Sequence, residues 1–100
     1  MEIALNSIPV LSNDIIFRFE PNIKDGTIFI YHINNQKIHE GNKSLYSVFK
    51  LIDGKKTVES IIKEIEIQYS SESFEEIKNS VIEIFKYFLS EEIVYMRRGD

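Results

Sequence analysis

Apolar and polar residues alternate in the first part of the chain, in the manner of β-strands. Residues Asp14–Glu20 show the period of two expected for a half-buried strand. Thr27–Ile33 is rich in β-branched and aromatic residues, which favours a strand at the centre of a sheet. Gln36–Glu40 has strand length but contains one clear hydrophobe, Ile38, and predicts a short, polar third strand.

Two turns connect these strands into an antiparallel meander. Pro21 ends the first strand, and Asp25-Gly26 is a strong hairpin signal. Asn34-Asn35 predicts the second turn, because asparagine tolerates a left-handed backbone.

The apolar spacing becomes helical from Asn42 onward, and the pattern predicts three helices. Asn42 is a good N-cap for the first helix, and Gly54 stands where a left-handed residue would close it. Thr57 caps the second helix, whose apolar residues share one face. Ser73, with a glutamate three residues later, opens the longest helix, Phe74–Ser90, with a capping-box pattern.

The order of these elements predicts an α+β fold: a three-stranded antiparallel sheet followed by three helices, with a winged-helix-like packing. One more short strand is expected at Ile93–Met96. We expect the domain to span residues 9–96. Residues 1–8 form an N-terminal extension that is either disordered or an extra strand, and residues 97–100 form a frayed tail.

Composition limits the possible functions. A chain of 100 residues with 43% hydrophobic residues predicts one folded domain. The net charge of −4 argues against a basic nucleic-acid surface, and the absence of cysteine excludes thiolate chemistry and cysteine-ligated metals. The first residues lack a signal-peptide pattern and no apolar run has membrane-spanning length, so we expect a cytoplasmic protein without membrane contact.

Candidate catalytic or metal-binding residues are sparse. His32 and His39 lie on adjacent predicted strands and are expected to approach each other, but two histidines make an incomplete metal site. We interpret them as an incidental surface pair. The many carboxylates sit on helix faces, often with lysine at helical spacing, and no phosphate loop or nucleophile motif accompanies them. The sequence therefore predicts no enzyme, no metal and no cofactor.

The third predicted helix has an unusually wide apolar arc with two shoulders. Ile77, Ile84 and Phe88 lie on one shoulder, and the other carries Lys78 together with Ile82, Phe85 and Leu89. Either the helix is sandwiched between the sheet and the other helices, or one shoulder lines a partly open groove. As a DNA-recognition helix it would be poorly suited, because its acidic residues outnumber its lysines and it has no arginine.

Three stretches together resemble the PqqD-like family, which comprises small recognition domains of pathways that modify ribosomally made peptides. These stretches are "PVLSNDIIFRFE", "QKIHEGNKSLYSVFKLIDGKKTVESIIKEI" and "VIEIFKYFLSEEIV". The most telling piece is "LIDGKKTVESII", with its helix end, Asp-Gly stop, threonine cap and paired isoleucines. The resemblance extends over about residues 9–96, and its specificity lies in the order and spacing of the motifs.

The resemblance implies a stand-alone domain that binds the leader segment of a precursor peptide in a bacterial pathway. The leader would add as a strand to the edge of the third strand and lean on the third helix. The domain would then present the precursor to a modifying enzyme or a leader peptidase, in either a lasso-type or a radical-enzyme pathway. We expect a monomer or weak homodimer without catalysis.

Carried over residue by residue, the resemblance predicts an edge and a helix wall for the peptide. The edge residues are Gln36, Lys37, Ile38, His39 and Glu40, and the helix wall is Lys78, Ile82, Phe85, Lys86 and Leu89. Two positions depart from the family pattern, since Gly41 and His39 stand where apolar residues are expected. We expect Gly41 to loosen the joint between strand and helix.

Two other interpretations stay open from the residues alone. The runner-up is a winged-helix domain that binds DNA or assists transcription, and the third is a structural protein-interaction module.

Overall fold

In the computed structural model, which describes residues 2–69 and 71–98, strands precede helices and one strand closes the chain. The elements in chain order are β1 (Ile8–Leu11), β2 (Ile15–Glu20), β3 (Thr27–His32), β4 (Ile38–Asn42), α1 (Lys43–Phe49), α2 (Val58–Gln68), α3 (Phe74–Ser90) and β5 (Val94–Arg97).

The main sheet is antiparallel with the order β2-β3-β4. Its register places Ile30 of β3 between Phe17 of β2 and His39 of β4. The α+β class, the three-stranded antiparallel sheet, the three helices and the central position of β3 are thus confirmed. The likeness to a winged helix stays a prediction.

Strand β4, which the sequence predicted as the third strand, begins two residues later than predicted. Gln36 has a φ of 61° and donates its N–H to the carbonyl of His32 at 2.8 Å, so it belongs to the turn. The N–H of Lys37 binds the side-chain oxygen of Asn35 at 3.0 Å. At the other end of β4, pairing with β3 continues to Asn42, two residues beyond the predicted end at Glu40. The pattern placed the turn correctly but assigned the left-handed conformation to asparagine instead of Gln36.

The three predicted N-caps are all present. The Asn42 side chain accepts the N–H of Leu45 at 2.9 Å, and Ser73 Oγ accepts the N–H of Glu76 at 3.2 Å. Thr57 caps α2 in the same way. Each bond satisfies one of the backbone donors that the first turn of a helix leaves free.

The end of the first helix differs from the prediction. Helix α1 stops at Phe49, and Gly54, with a φ of 77°, lies in the connection to α2. Bonds from the N–H groups of Leu51 and Ile52 to carbonyls three residues back tighten the chain out of the helix. Asp53 then accepts the N–H of Lys55 and of Lys56 in a side-chain turn that competes with further helix.

A second, two-stranded sheet joins the two ends of the described chain. Strand β1, which the sequence pattern did not predict, pairs antiparallel with β5, and Val10 lies opposite Tyr95. The preceding residues lie at the start of α2, where the carbonyls of Leu5 and Ser7 accept N–H groups from Glu59 and Val58, each at 3.0 Å. The predicted domain limits, residues 9–96, stay a prediction.

The hydrophobic core lies between the helices and one face of the main sheet. Ile28 and Ile30 of β3 are almost completely buried against α1 and α3. Phe88 of α3 makes edge-on contacts with Phe49 at 6.1 Å and with Phe85 at 5.9 Å between ring centroids. Within the described part of the chain, none of the helices has the length and apolar character needed to cross a bilayer.

Candidate functional site

Strand β4 is an open edge of the main sheet. The N–H of His32 donates to the carbonyl of Lys37 at 2.9 Å, which fixes the phase of the ladder between β3 and β4. Because antiparallel bonds recur at every second residue, His39 and Gly41 point their backbone groups toward β3, while Ile38 and Glu40 point theirs away. Among the described residues no further strand lies beyond β4. Two N–H groups and two carbonyls are therefore available to another chain.

The side chains of β4 alternate between the two faces of the sheet. Ile38 and Glu40 lie on the outer face, which the helices do not cover, and Ile38 is 63% exposed. His39 lies on the inner face and is only 8% exposed. A strand added to β4 would thus meet two different environments on its two faces.

The inner face brings the two histidines together, as the sequence predicted, but inside the protein. The rings of His32 and His39 are 5.1 Å apart between centroids. His32 Nδ1 lies 3.3 Å from Asp14 Oδ2, and His39 Nδ1 lies 3.1 Å from the hydroxyl of Tyr87 on α3. The interpretation as a surface pair is therefore wrong, because both side chains are buried, His32 at 2% and His39 at 8% exposure.

The surroundings of His39 favour its neutral form. Burial is the main cause that lowers its pKa, and the neighbouring His32 lowers it further, whereas Glu91 acts in the opposite direction. Burial, followed by Glu91, raises the pKa of Tyr87. A neutral imidazole and a protonated phenol can share one hydrogen bond, which joins β4 to α3.

A metal site does not form around the histidine pair. The Nε2 atoms of His32 and His39 are buried and have no hydrogen-bond partner. In residues 2–69 and 71–98 no group of three or more potential ligand side chains is arranged to hold a metal ion. The pair is instead a polar contact within the core beside the open edge.

The helix residues predicted as a peptide wall lie away from β4. Lys78, Ile82 and Lys86 line an open depression whose opposite wall is residues 2–5. Phe85 is fully buried and offers no surface, and Leu89 packs partly against the core. The predicted edge and the predicted wall are therefore not brought together, although the role of each in peptide binding stays untested.

The opposite shoulder of α3 is the one that approaches β4. Tyr87, which contacts His39, lies about 180° around the helix from Lys78, because nine residues at about 100° each make two and a half turns. Glu91, just beyond α3, lies 3.4 Å from the ammonium of Lys37 at the start of the edge. Tyr87 is absent from the predicted site residues, although its spacing of three from Ile84 was a usable signal that it lies on this shoulder.

A depression of about 170 Å³ lies farther along the same shoulder, where α1, the end of α2 and α3 meet. Its walls are mainly apolar; they are formed by Ser44, Val48, Ile65, Tyr69, Glu72, Ile77, Ser80, Val81 and Ile84. We refer to the surface that runs from β4 past Tyr87 to this depression as the groove along α3.

Comparison with known protein families gives a match that covers most of the chain. Residues 27–94 match the family model described as Coenzyme PQQ synthesis protein D (PqqD). The matched region begins at β3 and ends at the start of β5, so it contains both β4 and α3. No curated protein matches the chain, and no solved structure matches it.

Proposed function

Because the chain belongs to the PqqD family, we propose that it binds the leader segment of a ribosomally synthesised precursor peptide as an added strand on β4, and presents it to a modifying enzyme or leader peptidase. The family consists of non-catalytic accessory domains that bind precursor peptides and partner enzymes in the biosynthesis of PQQ and related products. Membership supports the general role of leader presentation. A lasso-type or radical-enzyme partner stays a prediction.

The observation that carries the proposal is the unpaired side of β4. An extended peptide laid against Ile38 and Glu40 would satisfy the two outward N–H groups and the two outward carbonyls. The leader is expected to be disordered when free, and its ordering opposes binding. A dissociation constant near the micromolar level is consistent with backbone pairing that is opposed by the ordering of the peptide. It corresponds to a binding free energy of about −8 kcal/mol.

The groove along α3 supports the same site. A strand on β4 would alternate its side chains, so every second one would point toward the inner face. These side chains would meet Tyr87, which is 36% exposed, and farther along the groove the half-buried Ile84. We therefore place the helix contacts of the leader on this shoulder of α3.

Within this proposal the predicted peptide-binding residues fall into two groups. Lys37, Ile38, His39 and Glu40 belong to the proposed edge, with Gln36 in the turn before it. A peptide role for the opposite shoulder stays a prediction that would require a leader reaching beyond the groove; that shoulder carries Lys78, Ile82, Lys86 and Leu89.

The proposal is tested by titrating isotope-labelled protein with synthetic leader peptides of candidate precursors, chosen from short reading frames that neighbour this chain's gene. We expect amide shifts to concentrate in residues 37–41 and on the Tyr87 shoulder of α3. Shifts confined to the shoulder carrying Lys78 and Lys86, at saturating peptide, would contradict the proposed groove.

A matched pair of variants at Ile38 separates backbone pairing from side-chain contact. Since the N–H of Ile38 points away from β3, Ile38→Pro removes a donor to the peptide without removing a bond of the sheet. We expect affinity to fall about 3- to 10-fold, the range for one hydrogen bond. Ile38→Val retains the N–H and should bind almost normally, and equal binding by both folded variants would contradict strand addition.

A further inference from the structure

The outer face of the main sheet is organised in rows of side chains that run across the strands. The register of the two pairings aligns them directly. The rows that end on β4 are Ile16–Tyr31–Ile38, Arg18–Phe29–Glu40 and Glu20–Thr27–Asn42. Each row stops at β4 because β4 is the edge, so an added strand would extend it.

The row that ends at Ile38 has an isoleucine at each end and the ring of Tyr31 between them. Ile16 is 53% exposed and Ile38 is 63% exposed, so both retain much of their surface in water. On an added strand the side chain directly opposite Ile38 would lie about 5 Å away, within contact distance. An apolar residue at that position would cover Ile38, whereas a charged residue would be partly desolvated without a partner.

The neighbouring row ends in an available carboxylate. The side chain of Glu40 is 52% exposed, and its ion-pair partner Lys24, at 3.7 Å, is itself 80% exposed. Such an exposed pair contributes little and is easily exchanged. The nearest neighbour in the row is Phe29, and Arg18 one strand farther is paired with Glu20. Glu40 can therefore accept a cationic side chain from an added strand.

The direction of the backbone hydrogen-bonding groups of β4 fixes the spacing between the apolar residue opposite Ile38 and the basic residue opposite Glu40. Ile38 and Glu40 both direct their N–H and carbonyl groups outward, so their partners on an antiparallel strand would lie two residues apart and on the same outer face. Antiparallel pairing is the slightly more stable arrangement. Since the added strand would run opposite to β4, the partner of Glu40 would come first in its sequence.

We propose that Ile38 and Glu40 are specificity-determining residues that select a leader strand with the pattern basic, any residue, apolar. The inference rests on the proposed function, because it assumes that the leader adds to β4. The basic residue lies beside the Glu40 carboxylate and the apolar residue covers Ile38. The residue between them points into the groove toward Tyr87.

A displayed library of fully randomised nine-residue peptides tests this selection, with purified protein as the bait. We compare the wild-type chain with Glu40→Lys, and use Glu66→Lys on α2 as a control of equal charge change outside the sheet. In the wild type, we expect lysine or arginine two positions before an apolar residue to be enriched about 1.5- to 5-fold, the range for one cross-strand pair. Glu40→Lys should replace this preference with aspartate or glutamate, and Glu66→Lys should leave it unchanged.

The outcomes distinguish this inference from the function on which it rests. If selected peptides lose binding with Ile38→Pro but their charge preference is the same for wild type and Glu40→Lys, the inference is overturned and strand addition survives. If peptides bind equally to Ile38→Pro, or none binds the wild-type chain, the proposed function is overturned and the inference falls with it.

Discussion

At Gly41 a single missing side chain decides how closely α1 packs on the sheet. A Cβ built there would lie 2.8 Å from one methyl carbon of Leu45 and 3.2 Å from Cγ2 of Ile28. From the sequence, we expect this glycine to loosen the joint between strand and helix. The structure shows the opposite effect, because the absence of a side chain permits close packing.

We therefore predict that Gly41→Ala lowers the free energy of unfolding by about 1 kcal/mol, at the lower end of the cost of overpacking because the Leu45 methyls can shift. Urea denaturation measures the change. In a Leu45→Ala background the same substitution should cost much less, since the nearest colliding atoms are gone. An equal cost in both backgrounds would show that contact with Leu45 is not the cause.

Gln36 carries a backbone conformation that glutamine tolerates poorly. With a φ of 61° it lies in the left-handed region, which costs a residue with a side chain about 1–2 kcal/mol. We predict that Gln36→Gly stabilises the fold by about 0.5 kcal/mol, because the relief exceeds the added entropy of the unfolded chain. Thermal denaturation is the measurement. Gln36→Ala, which keeps the strain, should give no such gain, and a gain of equal size would contradict the explanation.

The buried position of His39 makes stability depend on pH. Its pKa in the folded protein is lowered, mainly by burial and then by His32, so the unfolded chain binds the proton more readily. The contribution of His39 is therefore complete above the unfolded pKa of 6.5 and is lost as pH falls below it toward the folded pKa.

We expect the free energy of unfolding, measured in urea between pH 7.5 and pH 5 (about one pH unit or more on each side of the ordinary histidine value), to decrease toward the acidic end. His39→Phe keeps a ring at this position but cannot be protonated, so its stability should fall less over the same range. If His39→Phe loses as much unfolding free energy as the wild type over this range, the pH dependence arises from other groups.

At the scale of elements, local sequence signals predicted where helices begin better than they predicted the bounds of the edge strand β4. Helix α3 begins after Ser73 as predicted, because an N-cap and a helical period are both local features. Strand β4 is shifted because the turn takes up two more residues, which only the hydrogen bonds of Gln36 and Lys37 reveal. The two shoulders of α3 were recognised, but periodicity does not say which element packs against each.

The two shoulders of α3 make opposite predictions for leader binding. Tyr87→Ala should weaken binding about fivefold or more, because it removes a ring from the wall of the groove beside β4. Lys86→Ala, on the shoulder facing residues 2–5, should change affinity little. Calorimetric titration of both variants with the leader measures this, and the reverse order of effects would return the peptide to the wall that the sequence predicted.

Across the whole molecule, the least predictable feature is the joining of the two ends of the described chain. Strands β1 and β5 lie far apart in sequence, and their pairing depends on contacts that no local pattern records. The order of strands and helices, by contrast, followed from hydrophobic periodicity. The functional class came from the family resemblance, and the proposed position of the binding site depends on β4 being left at an edge.

The segment before β1 helps to hold the N-terminal part of the described chain against α2. Deleting residues 1–7 would remove the carbonyls of Leu5 and Ser7 that accept N–H groups at the start of α2. We predict a loss of about 1–3 kcal/mol in unfolding free energy from these two bonds, and a further loss because Ile3 and Leu5 also pack against the core. A chain that lacks only residues 1–4 keeps both carbonyls and should lose less. If the full chain and the chain that lacks residues 1–7 are equally stable, this result would instead support a domain that begins at Pro9.

Hydrogen exchange at single amides tests the central claim, strand addition at β4, most directly. In the free protein the amides of His39 and Gly41 face β3 and should exchange slowly, whereas those of Ile38 and Glu40 face outward and should exchange fast. With saturating leader peptide, we predict that the amides of Ile38 and Glu40 become protected from exchange as well. Unchanged fast exchange at both amides, while the peptide is fully bound, would contradict it.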